Sequence, residues 1–498
     1  MKLRPVLYIL SVLLAALGAL MIFPVLADLI DAGARANPAA AIADRNAFLS
    51  SSLLCVFAGV CGALATAGRK FVLSARSGFL IITGGWVLLV SAAALPFAFG
   101  PMEMSYTDAL FEATSGLTTT GATVVTGLDD APRGFLLWRA MLQWIGGVGV
   151  VIMALAVMPF LSVGGMQLFR LESSDRSEQL LPRASQIAAE ISRIYVALSV
   201  LCLITYRAGG MDGFDALAHA MTTISTGGFS THDTSFGHFS GSAFPLDLAA
   251  VVFMLTGGLP FGVFMLATRG RWRRMAQDPQ VPFFLILVAG AVAFAAPSAA
   301  VAEGVSQIEG VRLALFNVVS VMTGTGYATA DYGGWGAFAV AGFFCLTFLG
   351  ACAGSTSCGM KVFRLQIAFA AVRLYARRLT HPHGVKNAFY NGRPLSESDF
   401  TSVLSFVFVY FAIFAALAAA LGMLGLDPVT ALSSAATAIA NVGPGLGEIV
   451  GPAGNFQTLS DVHWRSDAAK WMLTIGMLLG RLEFFTVLVL LTPRYWRT

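Results

Sequence analysis

Charged side chains are scarce in this chain. Asp, Glu, Lys and Arg make up 12% of its 498 residues, about half of the roughly 25% usual in soluble domains. That excludes an ordinary water-soluble domain. Cysteine is also rare. The six residues Cys55, Cys61, Cys202, Cys345, Cys352 and Cys358 have no C-x-x-C spacing, so neither a disulfide framework nor a zinc site is implied and buried free thiols are expected. Long polar stretches are missing as well: the longest on the expected cytoplasmic side, near 376–399, is too short for a domain. No phosphate-cradling glycine motif sits on a strand–helix turn, so any nucleotide control has to come from another chain. No nucleophile–base or metal constellation points to catalysis. Histidines 381 and 383 in "HPHG" have no carboxylate or cysteine nearby to complete a ligand set, so a cytoplasmic turn is expected there. Neither an enzyme nor a nucleic-acid binder is expected.

Hydrophobic residues supply 57% of the chain. Apolar stretches near the 20 residues needed to span a bilayer recur at about 6–27, 47–67, 77–99, 136–164, 188–208, 244–268, 281–300, 335–351, 362–376, 400–425 and 467–492. The first exceeds a signal-peptide core of about 7–15 apolar residues and is expected to be a retained helix. Basic residues cluster at Lys2–Arg4, Arg69–Arg76, Arg170–Arg193, Arg269–Arg274, Lys361–Arg393 and Arg494–Arg497. Cytoplasmic loops collect Lys and Arg, so the stretches around 105–130, 212–240, 310–334 and 427–460 are expected to face outside.

Those four outward stretches share one pattern. "ALFEATSGLTTTGAT", "ALAHAMTTISTGGFS", "ALFNVVSVMTGTGYA" and "ALSSAATAIANVGPG" each open with Ala-Leu and carry a Gly eleven residues after that Leu. The pairs are Leu110 and Gly121, Leu217 and Gly228, Leu315 and Gly326, and Leu432 and Gly443. About ten helical residues rise roughly 15 Å, half the hydrocarbon thickness. A short helix therefore enters, stops near mid-membrane and hands over to a glycine-rich return. Asp108, Asp212 or Asp215, and Asp427 before Pro428 supply the start signals. Irregular backbone at that depth persists only under protein cover or beside a watery cavity. Glycine permits positive φ, and helix C-termini carry partial negative charge. Four converging copies make a cation site lined by backbone carbonyls, a selectivity filter.

The segments "GLTTTGATVV", "ISTGGFSTHD", "TGTGYATADYGGWG" and "ANVGPGLG", with "GACAGSTSCGMK" (350–361) and "KWMLTIGMLLGRLEFFTVLVLLTPRYW" (470–496), resemble the Trk/Ktr/HKT superfamily of potassium transporters, nearest its bacterial TrkH type. The resemblance extends over nearly the whole chain. It implies an all-α polytopic membrane protein: two N-terminal helices (1–73), then four parallel helix–pore loop–helix repeats at 74–170, 171–275, 276–395 and 396–498 around one pore. It further implies K⁺ uptake through the bacterial inner membrane, with filter loops facing the periplasm. A homodimer is implied, gated by a cytoplasmic TrkA-type regulatory ring that binds a nucleotide, NAD or ATP/ADP.

By motif position, the ion-facing carbonyls are those of Thr119, Thr120 and Gly121; Thr226, Gly227 and Gly228; Gly324, Thr325 and Gly326; and Asn441, Val442 and Gly443. Glycine at the key position of all four repeats resembles the potassium-selective members. Arg481 lies in "LLGRLEFF", and a charge at mid-membrane costs about 2.5–3.5 kcal/mol, so it is expected to face the pore or a partner. In the family the matching arginine forms an electrostatic barrier below the filter. Glu483 does not share its helix face. Lys470 is expected at the membrane interface, and His232 and Asp233 in solvent at the outer mouth. Small residues at 350–361 suit an intramembrane loop; in the family it is the gate, here Gly350, Gly354, Ser355, Thr356, Ser357, Cys358 and Gly359. Ser357 and Cys358 stand where relatives commonly have glycines, which should stiffen it. A K⁺ symporter coupled to H⁺ or Na⁺ is the alternative. Parallel repeats and few deep carboxylates (Glu112, Glu483) argue against it.

Overall fold

A computed structural model describes residues 3–31, 38–68, 74–153, 180–242, 244–271, 277–381, 388–447, 456 and 463–497. The protein is mostly helical. Among the described residues, seven helices are long and apolar enough to cross a membrane: Arg4–Ile30, Pro38–Thr66, Arg76–Phe99, Arg133–Ile152, Ser185–Ala208, Gln280–Ala302 and Glu397–Met423. Many of their large apolar side chains, such as Leu53, Phe57, Ile286 and Phe408, point outward, as suits a surface that meets lipid rather than water.

Several expected spans are interrupted. The stretch 244–268 breaks at Leu259–Pro260 into Leu246–Gly258 and Phe261–Thr268, bent by 93°. Proline lacks the N–H that would continue the ladder. The stretch 467–492 breaks after Arg481, where Glu483 and Phe484 take φ of 55° and 44°, and the halves meet at 109°. Arg481 therefore ends a helix instead of sitting in its middle. The stretch 335–351 yields only Ala337–Thr347, 11 residues, too short to span. The stretch 362–376 forms the helix Val362–Thr380, which is not among the seven. The stretch 136–164 continues past the described residues, as do the boundary at 170 and His383 in "HPHG". His381 caps the end of Val362–Thr380. A two-residue hairpin, Phe389–Tyr390 with Arg393–Pro394, turns on Asn391 and Gly392, both at positive φ, the torsions of a type I′ turn.

The N-terminal helices pack through small residues. A Cβ on Gly59 would lie 2.5 Å from the Ala15 nitrogen, and Ser52 Oγ donates to the Gly18 carbonyl at 2.7 Å. Close backbone approach replaces hydrophobic driving force between helices in lipid. Two large cores follow. One gathers Phe111, Phe135, Trp138 and Leu473, with Trp138 Nε1 donating to Ala93 O at 3.1 Å. The other gathers Tyr206, Phe236, Phe316 and Tyr327. Residues of four short helices, described below, belong to these cores, so the helix ends are sheathed by protein. Gly59→Leu should force the first two long helices apart and lower stability by about 1–3 kcal/mol, read as a reduced Tm of the detergent-solubilised protein.

Candidate functional site

The short helices are Tyr106–Leu117, Gly213–Ile224, Gln307–Thr323 and Pro428–Ala440. Ser105, Asp212, Ser306 and Asp427 cap their N-termini through side-chain oxygens that accept backbone N–H groups. Asp108 lies in the first turn instead. Their C-termini are alike. The amides of Thr120, Gly227, Thr325 and Val442 donate to the carbonyls of Ser115, Thr222, Ser320 and Thr437 at 2.8, 2.9, 2.8 and 3.1 Å. This bond, reaching five residues back, is the Schellman closure. It requires a left-handed residue just before, supplied by Thr119 (φ 52°), Thr226 (52°), Gly324 (74°) and Asn441 (53°). Positive φ is a true outlier for a β-branched threonine and stores about 1–3 kcal/mol. Only the third repeat uses glycine here.

Two residues on, Gly121, Gly228, Gly326 and Gly443 are again left-handed, at φ 85°, 81°, 83° and 98°. Each sits against the carbonyl of the next segment. A Cβ on Gly121 would lie 2.2 Å from Gly227 O, one on Gly228 1.8 Å from Thr325 O, and one on Gly326 2.1 Å from Val442 O. The circuit closes with Gly443, whose Cβ would lie 2.5 Å from Thr120 O. The four carbonyls touched are those immediately before the four glycines. The twelve positions named from the sequence thus occupy four abutting return segments, and all but the half-buried Gly121 are buried.

Side chains brace these returns. In three segments the amide three residues past the glycine is captured by the preceding short helix: Val124 N by Glu112 Oε2 at 3.1 Å, Thr329 N by Asn317 Oδ1 at 3.3 Å, and Leu446 N by Ser433 Oγ at 3.0 Å. In the second segment His219 Nε2 lies 3.0 Å from Ser230 Oγ. Glu112 is no free deep carboxylate, since Arg139 Nε pairs with its Oε1 at 2.7 Å and both are buried. Arg139 also donates through Nη1 to Ser230 O at 2.9 Å and through Nη2 to Thr123 Oγ1 at 3.2 Å, tying the first return to the second. Gln143 donates to Gly227 O at 2.6 Å and accepts from Phe229 N at 3.0 Å. Asn441 Nδ2 donates to Thr120 Oγ1 and Met477 O, both at 2.9 Å. Sequence reasoning missed Arg139, Gln143, His219 and Asn317 as braces. Glu112, His219 and Asn317 each stand two residues after the shared Leu, a periodic polar signal that was legible.

The loop 350–361 packs against the second return through Thr356. Gly350 N donates to Met360 O at 3.0 Å and Val362 N to Ala351 O at 3.2 Å, closing its neck. At its tip Thr356 Oγ1 accepts from Thr226 Oγ1 at 3.1 Å and donates to Gly257 O at 3.0 Å. Gly354 and Gly359 take positive φ (73° and 70°), and Ser355 Oγ donates to Cys352 O at 2.6 Å. Ser357 Oγ accepts from Ala351 N at 3.0 Å, a clip that a glycine would lack. Arg481 is buried, donating to Thr356 O at 3.2 Å, to Cys358 Sγ, and to Gly146 O at 3.3 Å. Among the described residues it pairs with no carboxylate: Glu483 pairs with Arg364, whose guanidinium lies 3.6 Å above the Phe406 ring centroid.

Two expectations change. Lys470 is buried and pairs with Asp108 Oδ1 at 2.5 Å, anchoring the first short helix. His232 is half-buried, not freely solvated: its Nδ1 lies 2.5 Å from Asp129 Oδ1 and its Nε2 3.3 Å from Asp215 Oδ2. Burial alone would lower its pKa, but hydrogen bonds to Asp215 and Asp129 outweigh that and raise it. Partial burial opposes charge on Asp129 too, yet the bond to His232 holds its carboxyl below the usual value. Asp233 is exposed and accepts from Gly127 N at 3.0 Å. Truncation at Arg139 should be severe. Arg139→Leu leaves the Glu112 carboxylate buried without its cation, which costs about 3–5 kcal/mol. Thermal unfolding should show that loss, and Glu112→Gln added to it should restore part.

Residues 44–497 match the TrkH family, described as cation transport proteins. The Trk system potassium uptake protein TrkI of Halomonas elongata is 43% identical over 493 residues, 99% of this chain and 97% of the relative. TrkH of Escherichia coli K12 is 38% identical over 443 residues, covering 86% and 88%. The crystal structure of the potassium transporter TrkH from Vibrio parahaemolyticus superposes with a TM-score of 0.87 at 33% identity, over 100% of both chains. With its apolar helices and this full-length similarity, the chain is a multi-pass membrane protein that belongs to the TrkH family of cation transport proteins.

Proposed function

We propose that this protein carries K⁺ into the bacterial cell through a channel-like pore whose filter is the ring of four return segments. The observation that carries the reading is the closed circuit of glycine-to-carbonyl contacts, Gly121 to Gly227, Gly228 to Thr325, Gly326 to Val442 and Gly443 to Thr120. No Cβ fits at those four glycines, so peptide oxygens are what an ion meets, with Gly227 O also held by Gln143 Nε2 at 2.6 Å. Oxygens of Thr119, Thr120, Thr226, Gly227, Gly324, Thr325, Asn441 and Val442, with those of the four glycines, replace its hydration shell. The ends of four short helices add partial negative charge. The potassium uptake named for the Halomonas and Escherichia relatives supports K⁺ as the ion.

In this reading, repeats at 74–170, 171–275, 276–395 and 396–498 follow two N-terminal helices, and the filter faces the periplasm of an inner membrane. The loop 350–361 closes the pathway below the filter. The Arg481 guanidinium, held by loop carbonyls with no counter-charge among its partners, repels cations there. Opening withdraws the loop, driven by a nucleotide-binding (NAD or ATP/ADP) TrkA-type ring on a homodimer. The chain itself needs no cofactor and performs no catalysis. A symporter coupled to H⁺ or Na⁺ draws one observation, the buried carboxylates Asp28 and Asp44, but Asp28 Oδ1 is engaged by Gly134 N at 2.7 Å.

Three measurements test this. Gly326→Ser places a Cβ 2.1 Å from Val442 O, a displacement worth about 1–3 kcal/mol, so K⁺-dependent growth rescue of an uptake-deficient cell should fall roughly tenfold or more. Arg481→Ala should raise K⁺ flux in reconstituted vesicles without any regulatory subunit; unchanged flux refutes the barrier. Resolved single-channel currents are expected, whereas saturable, gradient-coupled uptake without openings indicates a symporter.

A further inference from the structure

We infer that Asp129, His232 and His238 form a binding site for a divalent transition-metal ion of the zinc class, which clamps the first return segment to the second. The effect on ion flux rests on the proposed pore, but binding does not. Asp129 lies in the 3₁₀ turn Leu128–Asp130 after the first return, His232 directly after the second, and His238 in the turn Ser235–Phe239. Their ligand atoms lie within 4.8 Å of one another. The rings of His232 and His238 stack in parallel, centroids 3.5 Å apart. A tetrahedral ion with bonds of about 2.0–2.1 Å needs its donors about 3.3 Å apart. Because the rings are parallel, an ion bound to both requires them to turn out of that stack and the Asp129 oxygen to withdraw from His232 Nδ1.

The surroundings orient the donors. Asp215 Oδ2 lies 3.3 Å from His232 Nε2 and is itself held by Thr231 Oγ1, which donates to Asp215 Oδ1 at 2.8 Å. When a metal replaces the Nδ1 proton that Asp129 Oδ1 now accepts, Asp215 still accepts Nε2–H, the carboxylate–histidine–metal arrangement of natural sites. Asp129 Oδ2 accepts from Asp233 N at 3.4 Å, which fixes its carboxylate plane. Two imidazoles and one carboxylate, with water in the fourth position, suit Zn²⁺, Co²⁺ or Ni²⁺ and disfavour Mg²⁺ or Ca²⁺. The recess beside the cluster is also lined by Gly121, Gly228 and Arg139. A metal joining Asp129 to His232 therefore stiffens the rim that those glycines share, and flux should fall.

The test uses the full chain, purified without a polyhistidine tag. Zn²⁺ titrated by calorimetry should bind one ion per chain, and Co²⁺ should give the visible absorption of a tetrahedral site. Asp129→Ala and His238→Ala should each weaken Zn²⁺ binding at least tenfold while keeping the wild-type Tm. In K⁺-loaded vesicles, Zn²⁺ should reduce flux through the wild type and leave His238→Ala unaffected. Absence of stoichiometric Zn²⁺ binding, or binding unaltered in both variants, overturns the site. Binding lost in both variants with wild-type flux insensitive to Zn²⁺ overturns the clamp. Intact Zn²⁺ binding in a protein that passes no K⁺ counts against the proposed pore and not against the site.

Discussion

Everything in this structure answers to one constraint: peptide groups placed in an apolar interior must find partners, and those that point inward must do so without side chains between them. The four glycines meet it by leaving no Cβ where the neighbouring carbonyl sits, with approaches that any other residue would turn into clashes of 1.8–2.5 Å. The remaining amides are consumed locally. Each short helix closes with the same five-back bond, and side chains such as Glu112 and Asn317 capture the amides on the way out. What remains is a ring of four abutting returns, each glycine set against a carbonyl of its neighbour.

Holding that ring takes polar groups that would be costly if left alone. The pair of Glu112 and Arg139 is fully engaged, with Thr123 Oγ1, Val124 N and Ser230 O completing its hydrogen bonds. Gln143 does the same for the second return through Gly227 and Phe229. The strained threonines Thr119 and Thr226 tolerate left-handed torsions because surrounding bonds over-determine them. The lower side is knit as tightly. Thr356 reaches from the loop to Thr226, and Arg481 reaches from a helix end to the same loop. In the proposed pore, a shift of the loop is therefore felt at the filter through one hydroxyl pair.

Much of this was legible in the linear pattern. The Ala-Leu openings and the glycines eleven residues on placed four short helices and four returns where they occur. Capping aspartates marked two starts, Asp212 and Asp427, because a carboxylate at a helix N-terminus has a local, sequence-visible role. Other features were not legible. Lys470 looked like an interface residue until Asp108 arrived from 362 positions away. Arg481 looked like mid-helix because hydropathy cannot register the break at Glu483 and Phe484, two ordinary residues forced to positive φ by packing. The gathering of Asp129, His232 and His238 joins residues about a hundred positions apart on different loops, which no spacing rule anticipates.

The sequence alone determined that this chain lives in a membrane and that a short helix followed by a glycine return occurs four times. These follow from composition and local periodicity, which act within a few turns of chain. Tertiary structure alone decided which carbonyl each glycine faces, which cation neutralises Glu112, and where Arg481 rests. Those are contacts between segments distant in sequence, set by how helices pack once water is excluded, and no local propensity encodes them.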